Sequence, residues 1–389
     1  MPVGTVRMKT ALFAVVSLLL LSSCSSLNPL NWWESDPGPK MAELPQIQPV
    51  GFLRQVWQYD IGGMSSAGIS PAVTGTDIYV ASTEGQVSRI ESASGKVIWR
   101  ISAGARLSGG VGSDGSVVVV ASPEGEVVAL EPGSGSVRWR ARVSSEVLVS
   151  PVIATDLVLV RSSDSRLFAL DVRDGRRRWV YQRSAASLGV RSPAGIAVAN
   201  GHAYGGFAGG KLVAIALSNG GVRWEGTVSL PRGANELDRI TDVVGLPWVT
   251  DHEACAVSFQ GRVACFGAIN GNLIWAREMS SVSGVDADTD HLYVSDDKAS
   301  VHALSRATGT SIWRQDRLLR RSLSAPTAVG RQVIVGDIQG FLHMISRDTG
   351  AFVGRTATDG SAILTKPRIM DGKLLVLTRG GKLFLYAIE

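Results

Sequence analysis

Two of the three cysteines in this sequence are spaced for disulfide chemistry. Cys255 and Cys265 flank a predicted hairpin turn near Gln260-Gly261, so their side chains can meet across two neighbouring strands. In an oxidising compartment such a pair can form a disulfide. Two unreactive buried thiols are the alternative, and the sequence leaves both open.

The third cysteine, Cys24, ends an N-terminal segment that is typical of a signal peptide. Basic residues open this segment, and the apolar run over residues 11–21 is too short to span a bilayer as a helix. Its end, Leu21-Ser22-Ser23-Cys24, resembles the lipobox of bacterial lipoproteins, in which cleavage precedes a cysteine that carries acyl chains. The resemblance implies a signal peptide over residues 1–23 and lipidation of Cys24. A chance cysteine near an ordinary cleavage site is the alternative.

Acylation would fix the chain to a membrane, because two or more acyl chains hold a protein firmly where one holds it only marginally. Ser25 follows the cysteine, and in the enterobacterial sorting pattern a residue other than Asp at this position favours the outer membrane. Residues 24–50 contain five prolines and little periodicity, which indicates a partly extended tether. The expected location is the periplasmic face of the outer membrane, with a lipid anchor.

The sequence offers no motif for catalysis, metal binding or phosphate binding in a suitable context. The stretch from Gly110 to Gly115 matches the dinucleotide-binding pattern formally, but it precedes a predicted strand and no helix, so we interpret it as a turn. There are only five histidines, and no carboxylates recur at a spacing typical of a metal or acid–base site. We therefore expect no metal, no cofactor and no enzymatic activity.

Charge and composition favour an all-β protein that does not bind nucleic acid. The 39 Lys and Arg residues are scattered among 34 Asp and Glu residues, and the longest basic run is Arg176-Arg177-Arg178. The sequence has 44 glycines, and short runs of Val, Ile and Leu alternate with clusters of Gly, Ser, Asp and Asn. This pattern is typical of many short strands joined by tight turns.

A repeat of about forty residues runs through most of the chain. Its clearest copy is Ala169-Leu-Asp-Val-Arg-Asp-Gly175-Arg-Arg-Arg-Trp179, in which a strand leads through a glycine to a tryptophan. The tryptophan positions are Trp57, Trp99, Trp139, Trp179, Trp224, Trp275 and Trp313, with Gly354 in the eighth place. The prolines that stand 28 residues ahead of this position, and are expected to open a strand, are Pro71, Pro151, Pro247 and Pro326. Each copy predicts a four-stranded antiparallel sheet.

Such sheets must stack, because one four-stranded unit cannot bury both of its faces alone. We expect a closed ring of blades in which each tryptophan covers the seam between two neighbours. The last copy stops at Glu389 before its turn and tryptophan, whereas Trp57 precedes the first full copy. An N-terminal strand that completes the C-terminal blade predicts an eight-bladed β-propeller over residues 51–389. A linear solenoid is the alternative, but it leaves the split unit unexplained.

The copy that ends at Trp179 resembles the tryptophan motif of quinoprotein dehydrogenase propellers, Ala-x-Asp-x-x-x-Gly-x-x-x-Trp. Enzymes of that class need adjacent cysteines, a calcium site and a catalytic Asp over the quinone. No two cysteines are adjacent in this chain. A PQQ-dependent dehydrogenase, or a periplasmic propeller that binds a small ligand, is the alternative function, and it predicts polar groups that converge in the central channel.

The lipobox, the proline-rich tether and the tryptophan propeller together resemble the BamB family of lipoproteins of the β-barrel assembly machinery, from Cys24 to Glu389. Two stretches sharpen the resemblance: Ser187-Leu-Gly-Val-Arg-Ser-Pro193, a shortened form of Ser-Leu-x-Leu-Arg-Gly-x-Ser-x-Pro, and Asn235-Glu-Leu-Asp-Arg-Ile-Thr-Asp-Val243, similar to Glu-Ile-Asp-Arg-Leu-Ser-Asp-Val-Asp. The resemblance implies a scaffold without catalysis that binds the periplasmic POTRA domains of BamA, other Bam subunits and, as a further partner, unfolded outer-membrane proteins.

The same resemblance places the partner-binding residues on two loops. They are Leu188, Val190 and Arg191 on the first loop and Asp238, Arg239 and Asp242 on the second. The second loop is long, since 23 residues separate Trp224 from Pro247 where 12 to 14 separate other tryptophans from the next proline. Both loops should connect an outer strand to the inner strand of the next blade and emerge side by side. Val244 replaces the family's second Asp. In the alternative, Leu188 and Val190 only cover a seam and Arg191 is a solvated charge.

We predict that Cys24→Ala removes the protein from the outer-membrane fraction, because no acyl chain can be attached without the thiol. The variant should be recovered in the soluble periplasmic fraction or as uncleaved precursor, as measured by membrane fractionation and immunoblotting. Ser26→Ala, two residues away, is the matched control. Retention of Cys24→Ala in the outer membrane would contradict the lipid anchor.

Overall fold

The computed structural model describes residues 1, 40–184, 188–191 and 193–389. By its internal contacts the chain divides into two units, Met1–Met41 and Ala42–Glu389, and all described strands belong to the second. Residues 2–39, which hold most of the predicted signal peptide and tether and include Cys24, lie outside the described residues, as do Ser187 and Ser192 of the first loop. No helix in the described part of the chain is long and apolar enough to cross a membrane.

The described residues form 32 β-strands that pair into eight four-stranded antiparallel sheets. Blade 1 comprises β2 (Ala72–Thr74), β3 (Asp77–Ala81), β4 (Gln86–Glu91) and β5 (Val97–Ser102), and blade 2 comprises β6 (Gly109–Ser113), β7 (Val118–Ala121), β8 (Glu126–Leu130) and β9 (Val137–Arg142). Blade 3 comprises β10 (Val152–Ala154), β11 (Leu157–Ser162), β12 (Arg166–Asp171) and β13 (Arg177–Gln182), and blade 4 comprises β14 (Ile196–Ala199), β15 (His202–Phe207), β16 (Lys211–Ala216) and β17 (Val222–Thr227). The first strand of each blade lines the central channel and the fourth forms the rim.

The remaining four blades follow the same order until the last. Blade 5 comprises β18 (Val243–Val249), β19 (Glu253–Ser258), β20 (Arg262–Gly267) and β21 (Leu273–Glu278), and blade 6 comprises β22 (Val285–Ala287), β23 (His291–Ser295), β24 (Val301–Ser305) and β25 (Ser311–Gln315). Blade 7 comprises β26 (Thr327–Val329), β27 (Gln332–Gly336), β28 (Phe341–Ser346) and β29 (Phe352–Ala357), and blade 8 comprises β30 (Arg368–Met370), β31 (Lys373–Leu377), β32 (Lys382–Ile388) and β1 (Leu53–Asp60). Strand β1 pairs antiparallel with β32 from Leu53↔Ile388 to Asp60↔Lys382. The predicted eight-bladed propeller and its closure by an N-terminal strand are both confirmed.

The middle strands of the blades explain why the sheets stack. All four residues of β7 and four of the five residues of β8 are buried, because each face of the sheet packs on a neighbouring blade. Their sequences are continuous runs of Val, Ala and Leu without the alternation of a half-exposed strand. The hydrophobic core therefore lies in the seams between blades and continues around the ring.

The tryptophans lock each blade onto the next. Trp139 of blade 2 packs its indole on Gly175 of blade 3 and donates a hydrogen bond from Nε1 to the Val172 carbonyl at 2.9 Å. Equivalent bonds of 2.7–2.9 Å are donated by Trp57, Trp99, Trp179, Trp224, Trp275 and Trp313. The predicted placement of each tryptophan over a seam is thus confirmed, with Trp99 and Trp179 half-buried and the others buried.

The glycine of the repeat is required for two reasons. Gly175 adopts a φ of 73°, in the left-handed region that L side chains rarely occupy, and so closes the hairpin between β12 and β13. A Cβ on Gly175 would also lie 2.5 Å from the Trp139 ring. The turn and the seam contact therefore depend on the same residue.

The eighth tryptophan position is glycine because the chain itself occupies that space. In blade 8 the paired strands β32 and β1 are not consecutive in the chain, so no hairpin turn joins them. Residues 50–52, which lead into β1, enter the blade at this place. The backbone N–H groups of Val50 and Gly51 both donate to the Val353 carbonyl, at 2.8 and 3.0 Å. A Cβ on Gly354 would overlap the Gly51 carbonyl oxygen, so a tryptophan cannot be accommodated at this seam.

Residues 42–52, which we call the entry segment, lie against blades 6 and 7. The Ala42 N–H donates to the Leu319 carbonyl at 3.0 Å, and the Ala42 carbonyl accepts from Arg321 Nη1 at 3.0 Å. Arg321 is only 2% exposed and pairs through Nε with Asp337 Oδ2 at 2.7 Å. His343 lies 2.9 Å from the same oxygen, and its burial lowers the pKa of the imidazole. The entry segment therefore caps a buried polar network.

One sequence prediction about the strands is wrong. Pro71, Pro151 and Pro326 stand directly before β2, β10 and β26 as predicted, but Pro247 lies inside β18, which begins at Val243. The pairing of β18 with β19 shifts register between Val244 and Trp248, and this bulge leaves Pro247 without a partner on the neighbouring strand. A proline is tolerated there because it has no N–H to donate to a ladder.

We predict that deleting Gly51–Ile61 causes aggregation, because it removes β1 and exposes the edge of β32 as a template for pairing with other chains. Size-exclusion chromatography with light scattering and thermal melting measure the effect. A chain that begins at Lys40 keeps β1 and is the control. A deletion variant that stays monomeric with an unchanged melting temperature would refute the closure as a requirement for folding.

Candidate functional site

The two candidate loops leave the same end of the ring. The first loop, residues 183–195, connects β13 to β14, and the second loop, residues 228–242, connects β17 to β18. Each therefore joins the rim strand of one blade to the channel strand of the next, as expected from the sequence. They are the two longest of the eight connections of this kind, with thirteen and fifteen residues.

Asp242 joins the two loops. Its Oδ2 accepts a hydrogen bond of 2.7 Å from the backbone N–H of Val190, and its Oδ1 accepts one of 3.4 Å from Gly209. A Cβ on Gly189 would lie 2.9 Å from Asp242 Oδ2, so the loop backbone approaches the carboxylate closely. Asp242 is buried, with 8% of its surface exposed. The structure thus gives this residue a positioning role between the loops.

Arg191 and Leu188 lie at the surface of the first loop. Arg191 Nη2 pairs with Glu146 Oε2 at 2.7 Å, and Glu146 belongs to the connection between β9 and β10. This hydrogen bond raises the pKa of Arg191, whose side chain is 74% exposed. Leu188 is 42% exposed, and Val190 is half-buried. The first loop therefore exposes an apolar side chain, Leu188, and a cation, Arg191, which is paired with Glu146.

The tip of the second loop is exposed. Asp238 and Arg239 lie there, and Arg239 Nε donates to the Gly233 carbonyl at 3.0 Å, which braces the loop from within. Two leucines that the sequence analysis did not single out, Leu230 and Leu237, are 53% and 65% exposed. Val244, by contrast, is buried within β18.

A cavity of about 240 Å³ lies beside the first loop, between blades 3 and 4. Its lining includes Gly189, Val190, Arg191 and Asp242 from the two loops and Arg161, Ser163, Ser165 and Ala208 from blades 3 and 4. The Arg161 guanidinium lies 4.6 Å from the Phe207 ring centroid, and Nη1 donates to the Ala194 carbonyl at 3.3 Å. Burial lowers the pKa of Arg161 to about 10, so it remains charged at neutral pH.

No local sequence pattern marks Glu146, Arg161 and Phe207, so they could not be predicted from the sequence. Glu146 and Arg191 are 45 residues apart, and Arg161 and Ala194 are 33 apart. Only the unusual presence of leucines in the polar second loop was a usable signal, for Leu230 and Leu237.

The central channel is larger, about 760 Å³, and its walls are mostly small or apolar residues of the inner strands. Its charged lining residues are Asp286, Lys366 and Arg368. Lys366 Nζ and Asp286 Oδ1 pair with each other at 2.7 Å. Within the described residues, no group of three or more His, Cys, Asp or Glu side chains is placed to hold a metal ion.

Cys255 and Cys265 lie directly opposite each other on β19 and β20 and form a disulfide. Both residues are fully buried. The bond ties the middle strands of blade 5 together and presents no thiol to solvent.

We predict that Asp242→Ala loosens the first loop and destabilises the protein by roughly 1–3 kcal/mol, the usual cost of leaving buried donors without a partner. Amide hydrogen exchange at residues 188–191 should become faster, and chemical denaturation should show the loss of stability. Asp238→Ala, an exposed acid in the same loop, should change stability by less than about 0.5 kcal/mol. Unchanged exchange in Asp242→Ala would show that the carboxylate does not hold the loop.

Comparison with known proteins identifies the family. The sequence profile described as outer membrane protein assembly factor BamB matches residues 54–107 and 87–315. The outer membrane protein assembly factor BamB of Bordetella pertussis is 40% identical over 372 residues, covering 95% of this chain and 95% of that protein. The crystal structure of BamB from Moraxella catarrhalis superposes with a TM-score of 0.80 at 27% sequence identity, over 86% of this chain and 100% of that one.

Quinoprotein enzymes share the fold at a much lower sequence identity. The quinohemoprotein alcohol dehydrogenase from Comamonas testosteroni superposes with a TM-score of 0.69 over 86% of this chain and 76% of that one, but it is only 12% identical. Such a likeness shows the propeller fold alone. The profile match and the 40% identity along nearly the whole chain carry the assignment. The chain belongs to the BamB family of outer membrane protein assembly factors.

Proposed function

We propose that the chain is a non-enzymatic scaffold of the β-barrel assembly machinery, which binds the periplasmic POTRA domains of BamA through its two long loops. The observation that carries the proposal is the hydrogen bond from Val190 to Asp242, which joins the loops into one surface. Other Bam subunits and unfolded outer-membrane proteins are further partners in this proposal. The binding of partners then assists the delivery and insertion of outer-membrane proteins.

The composition of the surface supports a protein partner. Leu188, Leu230 and Leu237 are exposed apolar side chains, and Arg191 lies three residues after Leu188 in the same loop. Interfaces concentrate their binding energy in a few anchors of this kind, with Arg among the enriched residue types. The pairing with Glu146 restricts the Arg191 side chain before the partner arrives, which reduces the entropy lost on binding.

The support beneath the loops is rigid. The first loop joins blades 3 and 4 and the second joins blades 4 and 5, so the surface rests on three blades that tryptophans lock together. A site held by sheet elements keeps its geometry better than one on an isolated loop. This favours a docking platform whose shape changes little when it binds.

The quinoprotein alternative finds no specific support. The cysteines of the chain are Cys24, Cys255 and Cys265, and the last two pair across adjacent strands. In the channel, Asp286 and Lys366 neutralise each other. A thermal-shift measurement with quinone and calcium tests this directly, since a ligand at a hundred times its Kd adds about 2.7 kcal/mol of stability.

The lipid anchor is part of the same proposal. Acylation of Cys24 would hold the protein at the periplasmic face of the outer membrane, where a barrel subunit presents its periplasmic domains. Attachment of both proteins to one membrane raises their effective concentration for each other, so that a modest contact area is sufficient.

We predict that Arg191→Ala and Leu188→Ala each lose at least about 2 kcal/mol of binding to the POTRA domains, roughly thirtyfold in Kd, without a change in melting temperature. Isothermal titration against BamA measures the affinity. Arg314→Ala and Ile312→Ala alter an exposed cation and an exposed apolar residue on the rim strand β25 and are the matched controls. Wild-type affinity in both loop variants would show that the interface lies on another surface of the protein.

A further inference from the structure

The cavity between blades 3 and 4 contains a cation without a direct carboxylate partner in the described part of the chain. Arg161 lies on β11 and is half-buried, and no carboxylate oxygen of the described residues comes within 4.0 Å of its side-chain nitrogens. Its contacts are the Ala194 carbonyl and the face of Phe207. By contrast, the buried Arg321 is fully paired with Asp337. A half-buried cation in this state has lost part of its hydration and lacks the short ion pair that would offset the loss.

The other charges of the cavity are already engaged. The lining contains two cations and one carboxylate, namely Arg161, Arg191 and Asp242. Asp242 accepts from the backbone N–H groups of Val190 and of Gly209, which lies in the turn between β15 and β16, and its charge raises the pKa of Arg161 only through space, against the larger effect of burial. Arg191 pairs with Glu146, which does not line the cavity. Arg161 is therefore the charge that remains for a group entering from solvent. The serines Ser163 and Ser165 line the same space.

We propose that this cavity receives an aspartate or glutamate side chain of the protein that docks on the two loops, and that its carboxylate pairs with Arg161. The proposal rests on the docking function proposed above and adds to it the chemistry of one contact. Val190 and Arg191 of the first loop line the cavity, so a protein seated on that loop lies next to the space that its carboxylate would enter.

The physical case is the balance between desolvation and attraction. Arg161 is half-buried in the free protein and has therefore already lost part of its hydration, and this burial lowers the pKa of its guanidinium. Pairing then removes less water from it than from an exposed cation. The attraction between opposite charges is stronger where protein replaces water. An acidic side chain is therefore favoured, and a neutral or basic one at the same position of the partner is disfavoured.

The test compares four variants of the full protein in titrations against detergent-solubilised BamA. Arg161→Met removes the charge and keeps much of the side-chain volume, and Arg161→Lys keeps the charge. Ala208→Leu fills the cavity and leaves Arg161 in place. Arg314→Met makes the same change in net charge on the rim of blade 6 and is the control. Melting temperatures report on folding in each case.

We expect at least about tenfold weaker binding for Arg161→Met and for Ala208→Leu, a smaller loss for Arg161→Lys, and wild-type affinity for Arg314→Met. Each Asp and Glu of the partner's docking surface is then changed to Asn or Gln. One such change should weaken binding to the wild type and have little further effect in the Arg161→Met background.

The outcomes separate the two proposals. Failure of the wild-type protein to bind BamA overturns the docking function and this contact with it. Binding by the wild type with unchanged affinity in Ala208→Leu overturns the cavity contact alone, even if Arg161→Met folds poorly. The same conclusion follows if every partner carboxylate contributes equally in the wild-type and Arg161→Met backgrounds.

Discussion

An indole N–H that donates to a carbonyl of the next blade, with a hairpin glycine beneath the ring, occurs at seven of the eight seams of the described propeller. This contact determines the repeat, because the glycine must both close its own hairpin and leave room for the neighbour's ring. It also makes the blades interdependent, since a single four-stranded sheet leaves both faces apolar. The rigid ring that supports the loops is a consequence of this one interaction.

The eighth seam shows what replaces the contact when it cannot form. The hairpin that would receive a tryptophan is split by the chain ends, and the backbone of residues 50–52 fills the space against Gly354. Further along, the carbonyls of Ala42 and Pro45 accept from Arg321 and Arg355 at 3.0 and 2.9 Å. The chain backbone thus occupies at this seam the place that an indole ring takes elsewhere, and the buried Arg321 and the half-buried Arg355 hold the segment that leads to it. Ala42 is held at the end of the ring that carries the two long loops, because Leu319 belongs to a connection of the same kind.

The sequence predicted the parts of the structure that depend on local spacing. The spacing from Gly175 to Trp179, which recurs along the chain, was enough to predict the blades. Trp57, which precedes the first full copy of the repeat, was enough to predict the closure of the ring. Pro247 misled because a rule drawn from three regular blades was extended to a strand with a bulge. The contacts of the site were out of reach for a different reason. Val190 and Asp242 are 52 residues apart, and their hydrogen bond depends on the conformations of two irregular loops.

Departures from the repeat also make one surface of the ring different from the others. Eight equivalent blades would offer a partner eight equivalent faces, so a scaffold that must hold its partner in one orientation needs a departure from the repeat. The two longest connections supply it, at blades 3 to 5, and Asp242 at the end of the second loop couples them to each other. The chain thus keeps a strict pattern where blades must lock and departs from it where one surface must differ from the rest.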